Sequence, residues 1–326
     1  MEIILFNTAV GTSNLGDEII NRSALVGIEA LIDNSFVIEY GSHLKNLGIL
    51  HYLIKSTKVE YSERCDYKFV LGTNLLTSNI VRSIRQWPVG PISRLLYKEC
   101  ILMGVGTTYN NIHMDFFTKQ LYEQILNKNI AHSVRDEKSK KLLESIKGIS
   151  AINTGCPTLW GLTEEVCDKI PKEKMKNVVI SLSGYSSQRD KLRDQIFIKE
   201  IEKNYEKVYF WVQTTEDEKY YSELSHRKEV QKIYSLKNFE NVCRNANVDY
   251  VGTRLHGGIF AMQNNVRSIV IEIDHRAAGF KETNNIVTIK RENIDSLNEL
   301  INSKFKTEIR IPEKEIKQWK KQFPYM

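Results

Sequence analysis

Met1-Glu2-Ile3-Ile4-Leu5-Phe6, followed by Gly11-Thr12-Ser13-Asn14-Leu15-Gly16-Asp17-Glu18, decides how the rest of the chain is read. The apolar run has strand character, and the two glycines allow a tight turn into the helical pattern Asp17 to Leu31. A second apolar run, Phe36 to Tyr40, then completes a strand–helix–strand unit. The same alternation continues outward. Strands are expected at Lys68 to Leu71, Ile101 to Gly104, Ala131 to Val134 and Ala151 to Asn153, with helices at Leu44 to Lys55, Asp115 to Asn127 and Asp136 to Ile146. The second half repeats the theme, with strands Val178 to Leu182, Val208 to Val212, Lys232 to Tyr234, Tyr250 to Gly252 and Ser268 to Ile273. Its helices are expected at Asp190 to Asn204, Asp217 to His226, Asn238 to Asn245, Gly257 to Asn264 and Ile294 to Ser303. Such repetition implies α/β architecture, with parallel sheets covered by helices on both faces.

A chain of 326 residues exceeds what one core usually spans, so two domains are expected. The charged stretch Glu164 to Asn177, with Pro171, is the natural linker. The sequence therefore divides into an N-terminal Rossmann-like domain at 1–165, a C-terminal one at 177–305, and a terminal segment at 306–326 whose helix, Pro312 to Gln322, starts on a proline. Two doubly wound domains suggest a cleft between them, with ligands beyond the C-terminal strand ends.

Composition excludes several classes. The net charge is +6, and half of it sits between Arg310 and Met326, so the remainder is too mildly basic for a nucleic-acid footprint but suits an anionic small substrate. Cys65, Cys100, Cys156, Cys167 and Cys243 are scattered, with no C-x-x-C pair, which fits reduced thiols. The first residues lack the basic start and long apolar core of a signal peptide, and no apolar run reaches the roughly 20 residues of a membrane span. A cytoplasmic protein is expected. No His/Asp/Glu cluster has ligand spacing, so no metal is expected.

Four loops carry candidate chemistry. Asn14, Gly16 and Asp17 follow the first strand, where they form either a plain turn with Asp17 as helix cap or a sugar-binding loop in which Asp17 accepts a hydroxyl proton. Ser133-Val134-Arg135-Asp136 places Arg135 at a strand's C-terminal end, as a structural partner of Asp136 or as a grip for a carboxylate or phosphate. In Thr253-Arg254-Leu255-His256-Gly257-Gly258, alternation around Leu255 would turn Arg254 and His256 to one side, and Gly257 and Gly258 would let a ligand approach closely. Asp274-His275-Arg276 is either a solvated turn or a pair of cations completing an anion pocket.

Together these pieces resemble the polysaccharide pyruvyltransferase family. The matching residues are Asn14-Leu15-Gly16-Asp17-Glu18, Ser133-Val134-Arg135-Asp136 with Ser139, Thr154-Gly155-Cys156-Pro157, and Arg254-Leu255-His256 followed by Phe280, in family order. The family's glycine-rich run after the third strand is here Leu71-Gly72-Thr73-Asn74-Leu75, which adds Gly72 and Thr73 as substrate-binding candidates. The resemblance implies two Rossmann-like domains facing across a cleft, the GT-B arrangement. It also implies phosphoenolpyruvate as donor, a saccharide acceptor that is usually lipid-linked or polymeric, and no cofactor. In the mechanism it suggests, His256 is the general acid and Asp17 the base. Arg254 and the amides after His256 hold the phosphate, Arg135 takes the other anionic group, and Arg276 with His275 lends further positive charge.

Two rivals share this architecture: a glycosyltransferase using a nucleotide sugar, for which Glu272 and Asp274 are the sole candidates to bind a ribose, and a non-catalytic saccharide-binding relative. The tail also has two readings. Trp319 and Phe323 among lysines either pack on a neighbouring domain or make a peripheral contact with the inner face of the membrane.

Overall fold

The computed structural model describes residues 1–326 apart from 45, 47, 84–86, 91 and 108–112. Residues 45 and 47 fall within the helix expected at Leu44 to Lys55; of that stretch, Ile49–Leu53 is helical. The chain divides into two compact units, one of Met1–Thr12, Ile20–Trp160 and Pro312–Met326, the other of Ser13–Ile19 and Gly161–Ile311.

The first unit is a parallel sheet in the order β2-β1-β3-β4-β5-β6. Its strands are β1 (Glu2–Asn7), β2 (Phe36–Gly41), β3 (Tyr67–Leu76), β4 (Ile101–Thr107), β5 (His132–Val134) and β6 (Ala151–Asn153). Strand alternation decides which core each residue joins. Ile4 and Phe6 of β1 pack with Val70, Leu102, Leu121 and Tyr122 on one face. Ile3 and Leu5 pack with Phe69, Met103, Ala24 and Ile28 on the other. Trp319 and Phe323 complete that second face. Trp319 is fully buried, and its Nε1 donates to the carbonyl of Ala131 at 2.9 Å. Burying one such ring is worth on the order of 3 kcal/mol. Neither tail aromatic is left for a lipid surface.

The second unit is a parallel sheet in the order β12-β11-β10-β7-β8-β9. Its strands are β7 (Asn177–Ser181), β8 (Val208–Trp211), β9 (Val230–Ile233), β10 (Val248–Gly252), β11 (Ser268–Glu272) and β12 (Thr288–Lys290). The order reverses between β7 and β10, which makes their C-terminal ends the place where a crevice opens in such sheets. Val178 and Ile180 face one core and Val179 the other. The sheet's far end is braced by Arg267, fully buried, whose guanidinium donates to Asp249 and to the carbonyls of Leu300, Ile301 and Ser303. A cation there satisfies the orphan carbonyls at the end of the helix Leu297–Asn302.

The structural boundaries differ from the expected ones at 1–165, 177–305 and 306–326. Glu164–Asp168 is a helix rather than a linker, and the chain beyond it is bonded into the second unit. Met175 N–H donates to buried Asp249, Lys174 Nζ to Asn204 O, and Phe305 N–H to Lys172 O. Residues 306–311 also belong there, because Asn284 exchanges bonds with the backbone of Arg310 in both directions. The sequence pattern missed the short helices Ile80–Ser83, Arg94–Tyr97 and Glu164–Asp168, and three further elements. Thr57–Arg64 is a helix that buries only Val59 and Ser62 and so shows no apolar period. β12 has only three residues. His275–Asn284 is a helix where a turn was the plain reading.

Candidate functional site

In the second unit the C-terminal ends of β7 and β10 are locked by a closed ring of hydrogen bonds. Arg254 N–H donates to Ser181 Oγ at 3.1 Å, and Tyr250 Oη donates to Arg254 O at 2.7 Å. Ser181 Oγ and Tyr250 Oη lie 2.6 Å apart. The phenol's one proton is committed to Arg254 O, so the serine is the donor across that last gap. Ser183 N–H donates to Thr253 Oγ1 at 2.7 Å, tying the loop after β7 to the same edge.

Arg254 caps the helix Leu255–Gln263 in an extended conformation. Its side chain is 7% exposed and paired with Asp217, which is fully buried. Nε donates to Asp217 Oδ2 at 3.0 Å, Nη2 to Asp217 Oδ1 and to Thr214 Oγ1, and the guanidinium stacks 4.6 Å from the Tyr185 ring. Asp217 further accepts from Gly184 N–H and from the backbone and hydroxyl of Thr214. A buried pair this well bonded holds its geometry firmly, and neither partner can be removed cheaply. The expectation of a free phosphate-gripping cation is revised accordingly. Nε and Nη2 serve Asp217, and among the described residues no bond engages Nη1.

Two other expectations for this motif change for local reasons. The helix begins at Leu255, so Arg254 and His256 do not alternate as in a strand; His256 stands in the helix's first turn, half-buried. Gly257 and Gly258 are small because the helix packs on the sheet: a Cβ there would come within 2.7 Å of Tyr250 Oη and 2.9 Å of Val270 Cγ2. Their missing side chains let the helix pack closely on the strands beneath it.

The Asn14-Leu15-Gly16-Asp17 loop lies in the same unit. Leu15 N–H donates to Gln213 O at 3.0 Å, and Gln213 Nε2 to Asn14 Oδ1 at 2.9 Å. The helix Leu15–Gly27 starts two residues before Asp17, and it is Asn14 whose Oδ1 accepts from the first-turn amide of Gly16. Asp17 sits in that first turn, where a carboxylate is favoured by the helix dipole. A Cβ at Gly16 would stand 2.7 Å from Gln213 Nε2, so the glycine is what admits Gln213. Gln213 is buried, and its Oε1 has no partner among the described residues.

At the neighbouring strand end, Asp274 caps the helix His275–Asn284 and takes Nε and Nη2 of Arg276 at 3.0 and 2.6 Å. Burial works to raise the Asp274 carboxyl, but the bonds and charge of Arg276 outweigh it and hold it below its usual range. Arg276 is thus tied to its own turn rather than presented as a lone cation, and His275 is an exposed first-turn residue. Gln188 joins the two edges, accepting from Ser183 Oγ at 2.5 Å and donating to Asp274 at 3.3 Å.

Arg135, Gly72 and Thr73 belong to the first unit. The Arg135 side chain is 6% exposed, donates Nη2 to Asn74 Oδ1, and lies 3.5 Å from the Asp136 carboxylate. Gly72 is demanded by strand approach, since a Cβ would come within 2.8 Å of Gly104 O. Thr73 carries φ +141°, a conformation unfavourable for a β-branched residue, and marks an irregularity in the β3–β4 pairing. Burial pushes the Cys156 thiol up, so it is not a nucleophile in waiting.

Sequence reasoning missed Gln213, Asp217 and Gln188. Gln213-Thr214 directly after the apolar run Val208 to Val212 was a visible signal, as was the Thr214-x-x-Asp217 spacing of a helix cap. Among the described residues no group of His, Cys, Asp and Glu is placed to hold a metal ion, and no helix is long and apolar enough to cross a membrane.

Among solved structures the chain is similar to UDP-GlcNAc 2-epimerase from Methanocaldococcus jannaschii in complex with UDP-GlcNAc and UDP. That match has 14% identity and a TM-score of 0.54, covering 100% of this chain and 99% of the other. A second structure of UDP-GlcNAc 2-epimerase from that organism matches at 16% identity and TM-score 0.51, covering 96% and 95%. At such identities the likeness is one of fold, two Rossmann-like α/β domains of the GT-B type. No curated protein matches the sequence. Residues 14–275 match the family described as polysaccharide pyruvyl transferase, a span that begins at Asn14 and runs through Arg254 and His256 to His275. This chain belongs to the polysaccharide pyruvyl transferase family.

Proposed function

We propose that the chain transfers the pyruvyl group of phosphoenolpyruvate to two hydroxyls of a saccharide. The methylene carbon of the donor takes a proton and becomes a methyl group, which leaves C2 electrophilic. One hydroxyl attacks C2, phosphate leaves with the C–O bond's electrons, and a second hydroxyl closes the ketal. The two hydroxyl protons balance the one gained by carbon and the one carried off by phosphate. No cofactor is required by this sequence of steps.

One observation carries the reading besides family membership. The Asn14–Asp17 loop and the Arg254-Leu255-His256 motif, from distant parts of the sequence, are linked within one unit through Gln213, Thr214 and Asp217. In this reading His256 is the general acid toward the methylene carbon and Asp17 the base for a saccharide hydroxyl. Gln213 Oε1 accepts a hydroxyl of the acceptor. Arg254, steadied by Asp217, offers Nη1 and the first-turn amides to the phosphate, with Arg276 and His275 on the adjacent strand end. Arg135 remains the candidate cation of the first unit, beside Gly72 and Thr73. The setting that fits is cell-surface or exopolysaccharide synthesis at the cytoplasmic side of the membrane, with polymeric or lipid-linked acceptors.

The test is phosphate release from phosphoenolpyruvate across a panel of polysaccharide acceptors, with His256→Ala expected to lower turnover by about 10²–10⁴-fold at unchanged melting temperature. Near-normal turnover in that variant would remove His256 from the mechanism. Thermal stabilisation by a nucleotide sugar, with none by phosphoenolpyruvate, would favour the glycosyltransferase reading instead.

A further inference from the structure

The helices Ile49–Leu53, Thr57–Arg64, Arg94–Tyr97 and Phe116–Ile125 lie in contact, one beside the next, along one face of the first sheet. Their inner sides supply Tyr52, Val59, Leu96 and Leu121 to the core. Their outer sides are unusual. Leu50, Leu53 and Ile54 are 68%, 72% and 72% exposed, and Ile49 and Leu44 are also exposed. Positions 50, 53 and 54 share one stripe of a helix, so the side usually given to the core faces solvent here. Leu95, Phe116 and Phe117 are exposed on the far helices of the row, separated from this stripe by the charged outer side of Thr57–Arg64 with Lys58, Glu60, Glu63 and Arg64. Single exposed apolar residues are ordinary, but a contiguous stripe marks an interaction surface.

Charge identifies what the surface meets. Between Gly41 and Val59 the sequence carries Lys45, Lys55 and Lys58 with His43 and His51 and no carboxylate; exposed Glu60 and Glu63 follow on the next helix, and to Arg64 the span still holds two more basic residues than acidic ones. Lys55 and Lys58 are exposed beside the stripe. We propose that the stripe at 49–54 docks on an anionic phospholipid bilayer, with Leu50, Leu53 and Ile54 entering the headgroup–acyl boundary and Lys55 and Lys58 meeting the lipid phosphates. A second copy of the chain fits less well, because a two-fold contact centred on the stripe would bring the same lysines against each other. This proposal is independent of the pyruvyl-transfer reading and is tested without an activity assay.

The experiment is co-sedimentation of the full chain with sucrose-loaded vesicles of phosphatidylcholine alone and of phosphatidylcholine with phosphatidylglycerol. Binding is expected to the phosphatidylglycerol vesicles, falling as salt rises. The triple variant L50S/L53S/I54S is expected to partition about tenfold less, and K55E/K58E several-fold less, each with unchanged thermal unfolding. If the triple variant does not fold, the lysine pair decides alone, since both side chains are exposed. Failure of the unaltered chain to bind these vesicles overturns the proposal, as does equal binding to both lipid compositions or undiminished binding by both variants. A dimer in light scattering that the triple variant abolishes, with no vesicle binding, would assign the surface to a second copy.

Discussion

The two units solve the same α/β problem with opposite uses of charge and oil. In the second unit charges go inward in pairs: Arg254 with Asp217, Arg267 with Asp249, and Arg291 with Asp194. In the first unit Arg135 is buried beside a carboxylate, Asp136, that is itself 40% exposed, and Lys68 and His132 are held by backbone groups instead. Lys68 donates to Lys98 O at 2.9 Å, and burial draws its amine down. His132, with no exposed surface, takes Leu102 N–H on Nδ1 at 3.1 Å and faces Asn127 O with Nε2 at 3.0 Å. The surfaces invert this order. Of the exposed large apolar side chains among the described residues, fourteen belong to the first unit and three, Tyr185, Leu192 and Tyr234, to the second. The lesson is one of division of labour: the second unit stores paired charge in its interior, and the first, with the more apolar outside, holds its buried Lys68 and His132 on backbone groups.

The strongest way to break this comparison is at Asp217. Asp217→Ala leaves the Arg254 guanidinium buried without its carboxylate, and a loss of about 3–5 kcal/mol is expected in denaturant unfolding. A loss below about 1 kcal/mol would mean that the pair is not what holds the switch-point edge.

Acid tests the first unit. Burial, opposed by the bond to Asn127, lowers His132 from its ordinary 6.5 to about 4. The folded state therefore resists its protonation. The stability it contributes is whole above pH 6.5 and declines as pH falls to about 4, a loss of about 3 kcal/mol over that window. Equilibrium unfolding across that range, compared with His132→Gln, reads the difference. A variant with the same pH slope as the parent would place the acid sensitivity elsewhere.

The smallest effect sharpens the surface half of the comparison. Leu53→Ser removes an exposed side chain, so the melting midpoint is expected to move by no more than about 0.5 kcal/mol equivalent. A larger drop would make the stripe part of the core.

Most strands and the parallel α/β class were legible because apolar runs bounded by glycine and polar residues need only local pattern. So was the short list of loops worth watching, each of which follows a strand. The roles inside those loops were less legible. Gly257 and Gly258 look in sequence like ligand-facing glycines, yet Tyr250 and Val270, from other strands, explain them. Arg254 looks like a free cation, and its carboxylate partner Asp217 shows only once the chain is folded, whereas Arg276 pairs with Asp274 of its own motif. The helix Thr57–Arg64 and the three-residue β12 carried too little apolar period to be seen.

What the sequence by itself determined is the alternation of elements and the identity of the chemically able residues, since both depend on neighbours within a few positions. Tertiary structure alone decided that the Ser13–Ile19 segment joins the second unit, that Gln213 and Asp217 stand between the two motifs, and that the tail aromatics lie inside while Leu50 and Leu53 lie outside. Those outcomes depend on which buried donors and acceptors find partners across long stretches of chain. Desolvation sets the cost of leaving any of them unmatched, and no local pattern records it.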